Sequence, residues 1–256
     1  MRNPLRFRLA TAVAGAALLL VAGPGLPEKE GPPTDPLPIG AEVLYDQTDD
    51  ASGNGAPDQD FESAFSVASC EAADDFEVTD PGGWTILGVN TIGSNAGVPS
   101  DHVNIAFYPD DVGVPYDIPL CEYVGITSYI DDLGSMTITL PTPCKLDPGV
   151  YWMSQQVRQD FGTAGQHFFS NRVAQNKMEG VWRNPGNKFG TGCVDWTPNS
   201  ECGVGGGYPD YLFQIVGLGD GGDPTPAVGP FGVLVVLAAL GGASGYVLAR
   251  RRSDSG

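Results

Sequence analysis

Basic side chains are scarce in this chain: 13 Lys+Arg stand against 31 Asp+Glu, a formal net charge of −18. Nucleic-acid binding neutralises phosphates with a basic face, so the balance excludes nucleic acid as a partner. Imidazoles are scarcer still, since His102 and His167 are the only two. Nucleophilic catalysis asks for a Ser or Cys beside an oriented base. The chain holds no Gly-x-Ser-x-Gly, no His-Glu-x-x-His and no Gly-rich phosphate loop, so no reaction chemistry is written in its motifs. It also lacks Cys-x-x-Cys, which with two histidines disfavours zinc. Long stretches free of breakers are missing as well: 36 Gly and 22 Pro exclude a mostly helical fold. No internal repeat is present.

What is there begins at the two ends. Arg2, Arg6 and Arg8 precede an apolar run from Leu9 to Ala22, the layout of a secretory signal over residues 1–23. Six prolines between Pro24 and Pro38 predict an extended spacer over 24–40. At the other end, a Gly/Asp/Pro stalk (219–225) leads into residues 226–249, which carry no charge and are long enough to span a bilayer. Arg250, Arg251 and Arg252 open a basic tail (250–256) that prefers the cytoplasmic side, so everything before Pro226 faces outward. Between Gly23 and Arg250 only seven basic residues remain against 30 acids, a net charge of −23 that attracts divalent cations and repels anionic surfaces.

Residues 41–218 are enough for one domain with a real core. Short runs rich in β-branched and aromatic residues recur there between turn signals, among them Ala73–Val78, Trp84–Ile92, His102–Tyr108, Met136–Leu140, Val150–Val157 and Tyr211–Val216. Met136-Thr-Ile-Thr-Leu140 and Val103-Asn-Ile-Ala-Phe107 alternate apolar with polar, which places one face inward. The expected fold is all-β, an antiparallel β-sandwich of jelly-roll-like kind, with Phe61–Ser69 as one short helical turn.

All five cysteines fall in this domain, where an exported chain meets oxidant. Cys193 and Cys202 bracket a Pro/Gly/Asn loop and form the first expected disulfide. Cys121 and Cys144 flank two candidate strands and form the second, at one end of a hairpin or meander, each bridge contributing about 2–3 kcal/mol by loop closure. Cys70 is left over, as a buried thiol or an intermolecular contact.

Two groups of residues are candidates for binding. The acidic segment 46–60 offers Asp50, Ser52, Asn54 and Asp58 at the first, third, fifth and ninth positions of a calcium loop, with Gly55 at the turn. Phe61 stands where that loop needs a bidentate Glu, and a solvated acidic loop is the competing reading. Asp74-Asp75 is a second acidic spot, expected as an exposed or hydrogen-bonded pair at a strand edge. Trp182, Arg183, Asn187, Phe189 and Trp196 bring rings, amides and a guanidinium into one Gly/Asn-rich region, suited to a shallow sugar- or peptide-binding surface. For Trp182 and Trp196 themselves, packing against the Cys193–Cys202 loop is the favoured reading, as large aromatics are usually mostly buried. Thirty acids also offer paired carboxylates for a hydrolase, although abundance alone places none of them.

The tail Pro226-Ala-Val-Gly-Pro-Phe-Gly232, an apolar helix and an Arg cluster resembles bacterial C-terminal sorting signals of the IPTL and PEP types. That resemblance implies an envelope or surface protein whose tail is recognised by a membrane-embedded processing enzyme. Ala72-Ala-Asp-Asp-Phe76, Gly82-Gly-Trp-Thr-Ile86, Leu146-Asp-Pro-Gly-Val-Tyr-Trp152 and Trp182-Arg-Asn-Pro-Gly186 resemble a recurrent β-sandwich module of secreted bacterial proteins. It implies a fold and a location without catalytic residues. The expected protein is therefore a non-catalytic, membrane-anchored surface module of interaction or adhesion type, with a surface glycan or a protein as ligand.

Overall fold

A computed structural model describes residues 40–219. The signal segment, spacer, stalk, spanning helix and basic tail lie outside the described residues, apart from Gly40 and Gly219 at the margins. Among the described residues no helix is long and apolar enough to cross a membrane.

The strands in chain order are β1 (Glu42–Asp46), β2 (Ala51–Pro57), β3 (Gln59–Asp60), β4 (Glu71–Val78), β5 (Trp84–Thr91), β6 (Gly93–Ser94), β7 (His102–Pro109), β8 (Cys121–Ile126), β9 (Tyr129–Asp132), β10 (Ser135–Leu146), β11 (Gly149–Arg158), β12 (Phe168–Arg172), β13 (Val181–Arg183), β14 (Thr197–Pro198), β15 (Asp210–Tyr211) and β16 (Phe213–Leu218). One sheet has the order β1-β16-β5-β10-β9. A second runs β14-β13-β4-β11-β7-β8, with β3 added beside β11, and a smaller third joins β15, β12 and β2, with β6 beside β12. Every pairing is antiparallel except β3 with β11. Helix is confined to single turns, including a 3-10 turn at Ser63–Ala68 where the sequence predicts one.

The two larger sheets share one core, as in a β-sandwich. Ile86, Ile138, Phe213 and Ile215 from the first meet Ala72, Phe76, Ile105, Phe107 and Met153 from the second in a single buried cluster. The alternation in β7 explains this: Val103, Ile105 and Phe107 point into the core while Asn104 points away. The outer face of the second sheet carries its own small cluster, Ala73, Ala106, Tyr108, Trp152 and Val181, against which Val114, Met178 and Trp196 pack.

Both expected disulfides are present, Cys121–Cys144 and Cys193–Cys202. Cys121 lies in β8 of the second sheet and Cys144 in β10 of the first, so this bridge staples the two sheets instead of closing a hairpin. Cys70 is a buried free thiol, and burial pushes its acidity well away from reactivity.

Candidate functional site

The structure redistributes the residues singled out in the sequence. Trp182 is fully buried, and its Nε1 donates to the Pro57 carbonyl at 2.6 Å, so it packs the core and offers no face to a sugar. Phe189 meets it edge to face at 5.6 Å and remains partly exposed. Asn187 is exposed, its Oδ1 accepting from the Gly192 amide. Trp196 lies half-buried beneath the Arg183 guanidinium, 4.1 Å from the ring centroid. Arg183 is thus the residue of this group that reaches a cleft, on the opposite side of β13 from Trp182, as strand alternation requires.

The calcium-loop expectation is corrected in its geometry. Positions 51–57 are strand β2, paired with β12, so successive side chains alternate across a sheet and do not turn about one centre. Ser52 Oγ accepts from the Asn54 amide at 3.0 Å, and the backbone of Asp50 takes a left-handed φ of 61°. Asp58 is fully buried and both its oxygens are engaged: Oδ1 with His167 Nδ1 at 2.6 Å, Oδ2 with Gln155 Nε2 at 2.8 Å. Among the described residues no group of three or more His, Cys, Asp or Glu is arranged to hold a metal ion.

His167, one of the two imidazoles, is also fully buried, and its Nε2 donates to the Gly134 carbonyl at 2.9 Å. Burial disfavours its charge, yet the Asp58 carboxylate and the Gly134 carbonyl outweigh that and raise its pKa. The pair is a structural strut; no solute reaches it.

Strand β4 is interior, between β13 and β11, so Asp74 and Asp75 are not at an edge. Asp74 points inward, accepting from Gln47 Nε2 at 2.6 Å and the Tyr211 amide at 2.7 Å. Asp75 points outward and accepts from the Met178 amide at 3.1 Å. Both are fully buried, and desolvation raises both carboxyls, Asp75 to about 7.

A cleft of about 350 Å³ lies on the outer face of the second sheet. Register builds it: Asn104 of β7 pairs across from Gln156 of β11, Ala106 from Ser154 and Glu122, and Glu71 of β4 from Arg183 of β13. Arg183 Nε donates to Glu71 Oε2 at 2.9 Å, and Ser154 Oγ donates to Oε1 at 2.7 Å, so the carboxylate is held and neutralised. Gln156 Nε2 donates to the Cys70 carbonyl at 3.1 Å, and Asn104 Nδ2 reaches Gln156 Oε1 at 3.3 Å. Tyr108 stands at the floor, its phenol pushed up to about 12 chiefly by burial and then by Glu71, and is therefore a neutral donor. Glu122 and Tyr123 complete one wall, Ser66 and Gly186 another.

This floor of fixed amides, a hydroxyl and an internally balanced ion pair suits an uncharged polar ligand. Of these side chains, only Arg183 belongs to the binding group that the sequence offers. The signal for the rest was the polar alternants of two strands, Asn104 in β7 and Ser154 and Gln156 in β11, which only pairing brings side by side. Comparison of the chain with protein-family models, with curated proteins and with solved structures found no match in any of the three.

Proposed function

We propose that this chain is a non-catalytic interaction module of jelly-roll-like β-sandwich form, exported and tethered to the outside of a bacterial envelope by its C-terminal helix. The cleft on the outer face of the second sheet is its ligand site, and a neutral saccharide is its ligand. The observation that carries this reading is the convergence of Asn104, Ser154, Gln156 and Tyr108 from adjoining strands on a cleft whose central charges, Glu71 and Arg183, cancel each other. A volume of about 350 Å³ falls in the range of small-ligand sites. Export is supported by the N-terminal charge pattern and by two disulfides, which persist in oxidising compartments. Tethering is supported by the uncharged stretch 226–249 and the arginines after it.

The test is a glycan array followed by calorimetry on the full chain. Gln156→Ala and Asn104→Ala remove cleft amides that each also make two hydrogen bonds within the fold, so each is expected to weaken binding about tenfold, the worth of one or two hydrogen bonds, in a chain that stays folded at the assay temperature with a melting temperature lowered by a few degrees. An array blank for every neutral saccharide, or binding indifferent to both substitutions, sinks the proposal.

A further inference from the structure

Segment 173–180 crosses from β12 to β13 and is gripped by two carboxylates from different sheets. Asp210 of β15 accepts the Asn176 amide on Oδ2 at 2.5 Å, and Asp75 of β4 accepts the Met178 amide on Oδ1. The Asn176 side chain closes the ring by donating to the Tyr45 hydroxyl at 2.8 Å, which in turn lies 3.4 Å from the Asp75 carbonyl. Each carboxylate has a second oxygen, Asp75 Oδ2 and Asp210 Oδ1, that is buried and has no hydrogen-bond partner.

The surrounding charges neutralise this cluster only in part: Lys177 lowers Asp75 and Arg172 lowers Asp210, and burial outweighs both. Asp74 adds a third buried carboxylate from β4, and Asp110 faces Asp75 from beyond β7 while donating nothing, since it accepts from Trp152 Nε1. Glu179 adds negative charge beside Asp210. Of the cations nearby, Lys177 is paired with Glu77, and Arg172 is paired with Asp49 and also donates to the Ala174 carbonyl. Tyr45 is held in its neutral phenol form by burial and then by Asp74 and Asp75.

We propose that Asp75 and Asp210 form an acid-closed latch: protonated, they hold segment 173–180 against the sheet, and ionised, they release it. A buried carboxylate oxygen without a donor is costly where the nearby cations are already paired with other acids, whereas a carboxyl keeps its acceptor for the loop amide and sheds the charge. The pKa values agree, with Asp75 raised to about 7 and Asp210 to about 6, each chiefly by desolvation. A raised carboxyl favours the closed form fully below the ordinary Asp range and loses that preference as pH climbs to the raised value, so the latch works between about pH 4 and 7. Release frees Met178 from the outer cluster on which Trp196, beneath Arg183, also packs.

Amide hydrogen exchange on the full chain tests this without any ligand. After correction for intrinsic base catalysis, opening at Asn176 and Met178 is expected to rise tenfold or more, on the order that linkage gives, between about pH 5 and pH 8. Asp75→Asn and Asp210→Asn, which mimic the protonated shape, are expected to abolish that rise. Exchange at these two amides that stays flat with pH in the unsubstituted chain overturns the latch. So does a rise that survives both substitutions. Calcium chloride that restores protection at pH 8 also overturns it, by making a metal ion the occupant.

Discussion

At the scale of single residues, the fold depends on polar groups placed where apolar ones are expected. His167 illustrates the logic. Gly134 O accepts and never donates, so Nε2 must carry a proton, and Nδ1 faces a carboxylate oxygen at 2.6 Å. The pair is satisfied only with a proton on each ring nitrogen or one passed to Asp58, and Gln155, itself bonded to Thr91 Oγ1, secures the other carboxylate oxygen. Asp58→Asn leaves that arrangement one charge short, and breaking such a buried pair is expected to cost about 3–5 kcal/mol, read from the urea midpoint. The raised His167 pKa contributes stability that is full below about pH 6.5, the ordinary imidazole value, and is lost as pH rises through the folded-state value. The unsubstituted chain should therefore lose stability on the alkaline side more steeply than His167→Gln. Parallel pH profiles for the two would refute the charged strut. Trp182 is an aromatic for which packing is the favoured sequence reading, and the core claims it.

At the scale of elements, the strands with β-branched and aromatic alternation were legible and the rest were not. β7 and β11 fall within a residue or two of their expected bounds because one face must be apolar. β2, Ala-Ser-Gly-Asn-Gly-Ala-Pro, carries turn-forming residues throughout and is a strand only because β12 supplies its ladder, which is why the sequence points to a loop there, solvated or cation-binding. β10 runs through Pro141 and Pro143, which no strand pattern predicts; the register breaks between Thr139 and Cys144, and the prolines occupy that irregularity where no ladder donor is needed. The cleft was illegible for a related reason, since its side chains are neighbours across strands and distant along the chain. The Cys121–Cys144 bridge sits just past the irregularity in β10 and joins edge strand β8 to the opposite sheet. Cys121→Ser with Cys144→Ser is expected to destabilise the domain by about 3 kcal/mol, following the loop-closure entropy of the unfolded chain. A thermal midpoint unmoved by the pair of changes would show that the two sheets need no staple.

At the scale of the whole molecule, charge, cysteine usage and the chain ends bear on the same location. A net charge of −23 between the two arginine-bearing ends disfavours contact with phosphate-rich partners and keeps neighbouring copies apart. Three of the described ion pairs, Arg158–Asp160, Arg172–Asp49 and Arg183–Glu71, use Arg, but acids outnumber bases so far that most of the acidic surface relies on solvation. Four of five cysteines are bridged and the fifth, Cys70, is buried with its thiolate strongly disfavoured. The proposed export therefore has a direct mass-spectrometric consequence. Full-length protein taken from its native host without reductant should accept no alkylating group while folded and one after denaturation, at Cys70. Modification of all five after denaturation would place the chain in a reducing compartment and remove the envelope assignment, whatever the cleft binds.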